Sequence, residues 1–370
     1  MDRPIVRLAP LLRPHRSPFR PALLPSRRSS SLSHLSTELP ARRLPILYDY
    51  LSPVPTHLLN TTLADFLPPS FSTHYLPSPS PSPSFQSLPP LPTITPDPTL
   101  LPPAYHLIHF PPPIPLPLLL PDGTDPLQSP GPPFHRRMWA GGSLSFNLAH
   151  SPPGTLELRG QRAACVERII DVGVKGREGE EKVFVGIERR VGEVGEAETE
   201  EGVRRRLVEE GEKNVACVER RNIVFMREGE LEKKAGEKKI LKASHPPTFS
   251  HTLTPSPFLL FRYSALTFNA HSIHLDSHYC RTVEQHRNLL VHGPLSFTLM
   301  VTMLNLHLKA QGSAQIKEIE YRNLAPLYAT EEMKVCGREI EDNGKEGRKF
   351  ELWVEGVEGG MSVRGVAKVV

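Results

Sequence analysis

Between Leu295 and Leu308, apolar residues recur at the spacing of one helical face: Leu295, Leu299, Met303 and Leu306. Most of the positions between them are apolar as well. A helix that is apolar nearly all round has no face to offer water, so it belongs inside a fold. Pro294 suits a first helical position, and Gly312 suits a stop. Four runs after it read as strands: AQIKEIEYRNL, MKVCGREIED, KFELWVEGV and MSVRGVAKVV. In the third, Phe350, Leu352 and Val354 share one face, as a half-buried strand requires.

A similar plan precedes it. RRMWAGGSLSFNL predicts a strand with a kink at Gly141-Gly142. CVERIIDVGVKG and KVFVGIERRV, joined by REGEE, predict a hairpin in which Val183, Val185 and Ile187 alternate with Phe184, Gly186 and Glu188. NVACVERRNIVFMRE predicts a further strand. Tyr105 to Phe110 reads as a short strand, and the proline-rich stretch after it ends in a turn at Asp122-Gly123. Residues 41–66 hold one or two helical turns. Residues 67–103, dominated by Pro and Ser, bury too little apolar surface to offset their ordering entropy and read as a disordered insertion. Residues 192–214 read as a surface loop and 228–247 as a charged linker.

Composition sharpens this division. All but six of the 41 prolines precede Gly154, and the first 150 residues contain no lysine. Lys and Arg number 44 against 40 acidic residues, a net charge of +4 that is not gathered into a stripe, so no nucleic-acid partner is expected. The longest strongly apolar run, Leu295 to Leu308, is shorter than the ~20 residues a membrane-spanning helix needs. Four widely spaced cysteines without a CxxC point to reduced thiols of a matrix or cytosolic protein. Residues 1–37 carry seven arginines, many serines and one acid, Asp2, which fits a mitochondrial transit peptide.

FRYSALTFNAHSIHLD (261–276) followed by LLVHGPLSFTLM (289–300) resembles the MaoC-like family of (R)-specific enoyl hydratases and dehydratases. With RRMWAGGSLSF, ERRNIVFMRE and YRNLAPLY in order around it, the chain is more similar still to the mitochondrial hydroxyacyl-thioester dehydratase type 2 branch. The resemblance implies an α+β double-hotdog fold: two antiparallel sheets, with a buried central helix in the C-terminal half. The hairpin from Cys165 to Val191 resembles the one from Met333 to Val357, but the first half shows no clear central helix and is degenerate. The expected organisation is a leader over 1–40, a degenerate half over 41–227, the linker, and a catalytic half over 248–370.

The family's motif reads roughly S-G-D-x-N-P-I-H. Anchored on His274, its aspartate falls on Asn269, its asparagine on His271 and its proline on Ser272. The histidine is kept and the carboxylate is not, and an amide cannot accept a proton at neutral pH. The resemblance implies loss of water from an (R)-3-hydroxyacyl thioester of acyl carrier protein or CoA. His274 is then the general acid/base, Asn269 the holder of the hydroxyl, and the Gly293 N–H, at the start of the buried helix, a donor to the thioester oxygen. His292, Trp139, Tyr321 and Arg322 are the candidate substrate contacts, the last two toward the carrier's phosphate. His271, His274 and His278 fall at i, i+3 and i+7, but the segment reads as extended and lacks Cys or acidic ligands, so no metal is expected, nor a cofactor. A hydratase of a short dicarboxylic or branched enoyl-CoA, of mesaconyl type, and a non-catalytic acyl-thioester-binding protein are the alternatives. A homodimer is possible, since hotdog halves pair.

Overall fold

The structure, a computed structural model, describes residues 32–75, 92, 99–147, 156–227, 240–312, 314–340 and 347–370. The first half comprises helix α1 (Leu35–Ala41), strand β1 (Leu47–Tyr50), helices α2 (Pro53–Leu63) and α3 (Pro69–Tyr75), strands β2 (Arg136–Phe146), β3 (Arg162–Lys175) and β4 (Lys182–Glu193), helix α4 (Glu200–Arg204) and strand β5 (Cys217–Met226). The second comprises β6 (Phe249–Leu253), helices α5 (Pro257–Leu266), α6 (Ser277–Thr282) and α7 (Gly293–Gln311), then β7 (Ile316–Asn323), β8 (Met333–Ile340), β9 (Arg348–Glu355) and β10 (Met361–Val369).

The strands form one antiparallel sheet of ten in the order β1-β3-β4-β5-β2-β7-β10-β9-β8-β6. The second five repeat the first five in mirror order, so β1 to β5 correspond to β6 to β10. The two expected sheets are thus a single one, because β2 and β7 pair directly from Gly141↔Arg322 to Ser145↔Glu318. The register of β2 slips between Trp139 and Gly141, where the glycine pair places a bulge.

Helix α7 runs through the second half as its periodicity predicts. Leu295, Leu299, Val301, Leu304 and Leu308 are buried together with Phe350, Leu352 and Val354 of β9 in one core. Helix α2 follows β1 as α5 follows β6, yet no long helix lies between α2 and β2 among the described residues. The expected strand at Tyr105–Phe110 is instead a 3₁₀ turn over Tyr105–Ile108, buried throughout. Its run does not alternate, and Pro103 and Pro111 on either side deny it ladder hydrogen bonds. The inner face it meets carries charge: Glu167, Arg189 and Glu219 stand opposite one another on β3, β4 and β5. Arg189 donates to Glu219 at 3.1 Å, and His106 Nε2 lies 3.2 Å from the same carboxylate.

Residues 192–214 are not simply a loop. Thr199 caps α4, a π-helical turn over Arg205–Glu209 follows, and Val203 and Leu207 pack on Ala164 and Val166. Within the expected leader, α1 buries Leu35 and Leu39 against Phe134 and Ile169; residues 1–31 lie outside the described residues. Of the expected insertion, α3 and the 99–103 end are ordered, while 76–91 and 93–98 lie outside the described residues. Residues 228–239 of the linker also lie outside them; at its far end, Leu241 O accepts from Met361 N at 2.7 Å. The four cysteines are free and buried.

Candidate active site

A cavity of about 2020 Å³ opens between the halves, walled by Leu107 and Phe110 from the first, by His271, His274 and Gly293 from the second, and by Trp139 at the seam. The His271–His278 segment is not extended as expected. It forms a 3₁₀ turn over Ser272–His274 and then α6, whose N-cap Asp276 accepts from His278 N and Tyr279 N. This turns the His274 ring inward while leaving His278 exposed.

His274 is 8% exposed. Its Nδ1 lies 2.8 Å from Leu290 O, and since a carbonyl only accepts, Nδ1 carries the proton and Nε2 keeps its lone pair. The ring stacks on His292 with centroids 3.6 Å apart, and His271 meets it edge-on at 5.4 Å. Burial pushes the His274 pKa down to about 4. Burial, then the neighbouring rings, hold His271 and His292 well below the ordinary histidine value. The cluster is therefore three neutral imidazoles, and His274 presents an unprotonated nitrogen at neutral pH.

His292 caps α7, so the stack brings the His274 ring beside the start of that helix. His292 Nε2 pairs with Ser264 Oγ at 2.8 Å, and its buried Nδ1 has no hydrogen-bond partner among the described residues. Gly293 begins α7, where an N–H has no acceptor within the helix and the helix dipole favours negative charge. A Cβ at Gly293 would stand 2.8 Å from Asn323 Nδ2 and 3.2 Å from Trp139 Cβ, so any side chain there would push against both.

Asn269 lines the same cavity, but its Oδ1 accepts from His271 N at 3.0 Å, which shapes the turn. Trp139 is on the wall and donates from Nε1 to Tyr321 Oη at 2.8 Å. Tyr321 itself is buried, stacked on Phe297, and absent from the cavity lining. Arg322 is exposed and also off the wall, because successive strand residues point to opposite faces. The residue that reaches the cavity there is Asn323, on the Tyr321 face, donating to Trp139 O at 2.8 Å. The alternation of YRNL contains that signal. Two further wall residues escaped the sequence reading: Asp122, named only as a turn, and Arg137, which is mostly buried with Nε lacking a hydrogen-bond partner. Among the described residues, no group of His, Cys, Asp and Glu is arranged to hold a metal ion.

A buried helix wrapped by an antiparallel sheet is the architecture of the MaoC-like hotdog class, here with an imidazole beside the helix start. A MaoC-like dehydratase from Phytophthora capsici shares the fold with a TM-score of 0.54 at 14% identity, over 90% of this chain and 97% of that one. The family model for hydroxyacyl-thioester dehydratase type 2 matches residues 104–329. The mitochondrial hydroxyacyl-thioester dehydratase type 2 of Schizosaccharomyces pombe is 30% identical over 84% of this chain and 92% of its own length. The mesaconyl-C(4)-CoA hydratase of Chloroflexus aurantiacus is 28% identical over 71% of this chain and 81% of its own. The chain belongs to the hydroxyacyl-thioester dehydratase type 2 family, and it is a hydro-lyase. No described helix is long and apolar enough to cross a membrane.

Proposed function

We propose that the protein dehydrates (R)-3-hydroxyacyl thioesters, carried on acyl carrier protein or CoA, to trans-2-enoyl thioesters in mitochondrial fatty-acid synthesis, and catalyses the reverse hydration. The observation that carries this reading is the His274 ring stacked at the start of α7 inside the cavity, with Nε2 free. In the forward direction His274 Nε2 removes a proton from the carbon beside the carbonyl. Negative charge grows on the thioester oxygen, where the Gly293 N–H donates and the helix dipole adds to it. The imidazolium then returns its proton to the departing 3-hydroxyl, which leaves as water, and His274 is neutral again. A buried imidazolium is costly, which favours prompt return of the proton. The amide nitrogen of Asn269, whose oxygen is already engaged, holds the hydroxyl.

The mitochondrial setting is supported by the arginine-rich, acid-poor start of the chain and by the name of the Schizosaccharomyces pombe relative. A second reading, hydration of a short dicarboxylic enoyl-CoA, is supported by the likeness to the mesaconyl-C(4)-CoA hydratase and by Arg137, a wall guanidinium that a distal carboxylate would meet in competition with Asp125. Purified protein is expected to hydrate crotonyl-CoA, read as loss of enoyl absorbance. Rates on C8 linear thioesters above those on C4 dicarboxylic ones support the first reading, and the reverse order supports the second. Tight binding of all of them without turnover contradicts both.

A further inference from the structure

Where the common MaoC-like hydratase motif has an aspartate this chain has Asn269, yet a buried carboxylate stands behind the histidines. Asp122 lies in the turn before β2, in the other half of the chain, and is 5% exposed. Its Oδ1 accepts from Thr124 N at 3.0 Å and from Thr124 Oγ1 at 2.5 Å. Its Oδ2 is buried and accepts no hydrogen bond among the described residues, and His271 Nε2 lies 3.4 Å from it.

The turn is held against the histidine segment at two points. Asp122 O accepts from Ser272 N at 2.8 Å. Gly123, with φ +83°, passes so close that a Cβ there would stand 2.2 Å from Ala270 O. No side chain fits, so the approach is built into the backbone. His271 in turn meets His274 edge-on. Arg137 on β2 faces Asp122 and His271 as well as Asp125, which lies 3.6 Å from it, and Arg136 pairs with Glu284 at 2.6 Å on the same wall.

We propose that Asp122 supplies the carboxylate missing from position 269, acting through His271 as a positioning residue. Asp122 Oδ2 accepts the His271 Nε2 proton and fixes that ring's tautomer and orientation. His271 in turn packs edge-on against His274 and holds that ring in place, and the negative charge favours the imidazolium that forms on His274 during turnover. The 3.4 Å separation shortens when substrate closes the site, as catalytic hydrogen bonds commonly do. This inference rests on the dehydratase reading for its kinetic part alone.

The test uses the full chain carrying Asp122→Asn, His271→Asn and both together, with crotonyl-CoA turnover and ¹⁵N-histidine NMR. Asparagine keeps the acceptor for Thr124, so the turn is retained. For Asp122→Asn, kcat is expected to fall roughly 10- to 100-fold with KM nearly unchanged. The double variant should be no slower than His271→Asn alone, since the carboxylate acts through that ring. The His271 proton should move from Nε2 to Nδ1 in Asp122→Asn. Wild-type kcat in Asp122→Asn, losses that multiply in the double variant, or an unchanged His271 tautomer would each overturn the proposal. A wild-type protein that turns over no thioester but shows the tautomer change would instead overturn the dehydratase reading and support the pairing.

Discussion

At the residue scale, the chemistry depends on how far burial moves an ordinary histidine. His274 is pushed down to about 4, so it stays a free base across the physiological range. An exposed histidine would lose half its basic form near ~6.5. Activity, followed as kcat/KM for crotonyl-CoA, is therefore expected to stay flat as pH falls below 6.5, with the acid limb set by a group nearer 4. A limb centred at the ordinary value would contradict the burial argument. Stability moves with the same sign. The unfolded chain binds protons at His271, His274 and His292 below ~6.5, whereas the folded chain excludes them. This contribution is present above the unfolded value and is lost as pH falls through the folded ones, so urea midpoints should drop between pH 7 and 5.

At the element scale, α7 does two jobs: its apolar body packs the core of its half, and its first residue, Gly293, lines the cavity, where the proposed mechanism uses its N–H. Gly293→Ala keeps that N–H but forces a methyl group against Asn323 and Trp139. Removing one such donor in other enzymes costs about 10²–10³ in kcat; misaiming it here should cost at least about tenfold, while circular dichroism still shows a folded chain. Unchanged kinetics would mean that this amide does not face the thioester.

The same scale shows what a sequence reveals. Helix α7 and strands β7 to β10 are legible because each repeats its burial with a fixed period, as Phe350, Leu352 and Val354 do. The 3₁₀ turn at Tyr105–Ile108 is not, since a short run buried on every side has no period and resembles a strand. Val203 and Leu207 are two apolar positions one helical turn apart in a stretch otherwise rich in charge, too few to stand out. The sequence motif singled out His274, and the predicted start of the buried helix singled out Gly293; both line the cavity. Asp122 was not singled out, because its role comes from a contact with a segment about 150 residues away that only the fold creates. Arg322, read as a contact for the carrier's phosphate, is turned outward by strand alternation and stands off the cavity wall.

At the scale of the whole molecule, two halves of one topology share a continuous sheet, and they have diverged in what fills them. The second half keeps the long apolar helix and the imidazole. The first replaces the helix with a 3₁₀ turn over a buried Glu167–Arg189–Glu219 row, and together with the second it walls the cavity. A site built across both halves requires the whole chain. The proposed reactive group, however, is a single side chain, which makes the central claim simple to test. The measurement is the rate of crotonyl-CoA hydration by His274→Ala beside the wild-type protein, with both confirmed as folded. The account predicts turnover in the wild type and a loss of about 10² or more in the variant, the general acid–base share of the barrier. A variant as fast as the wild type would contradict it.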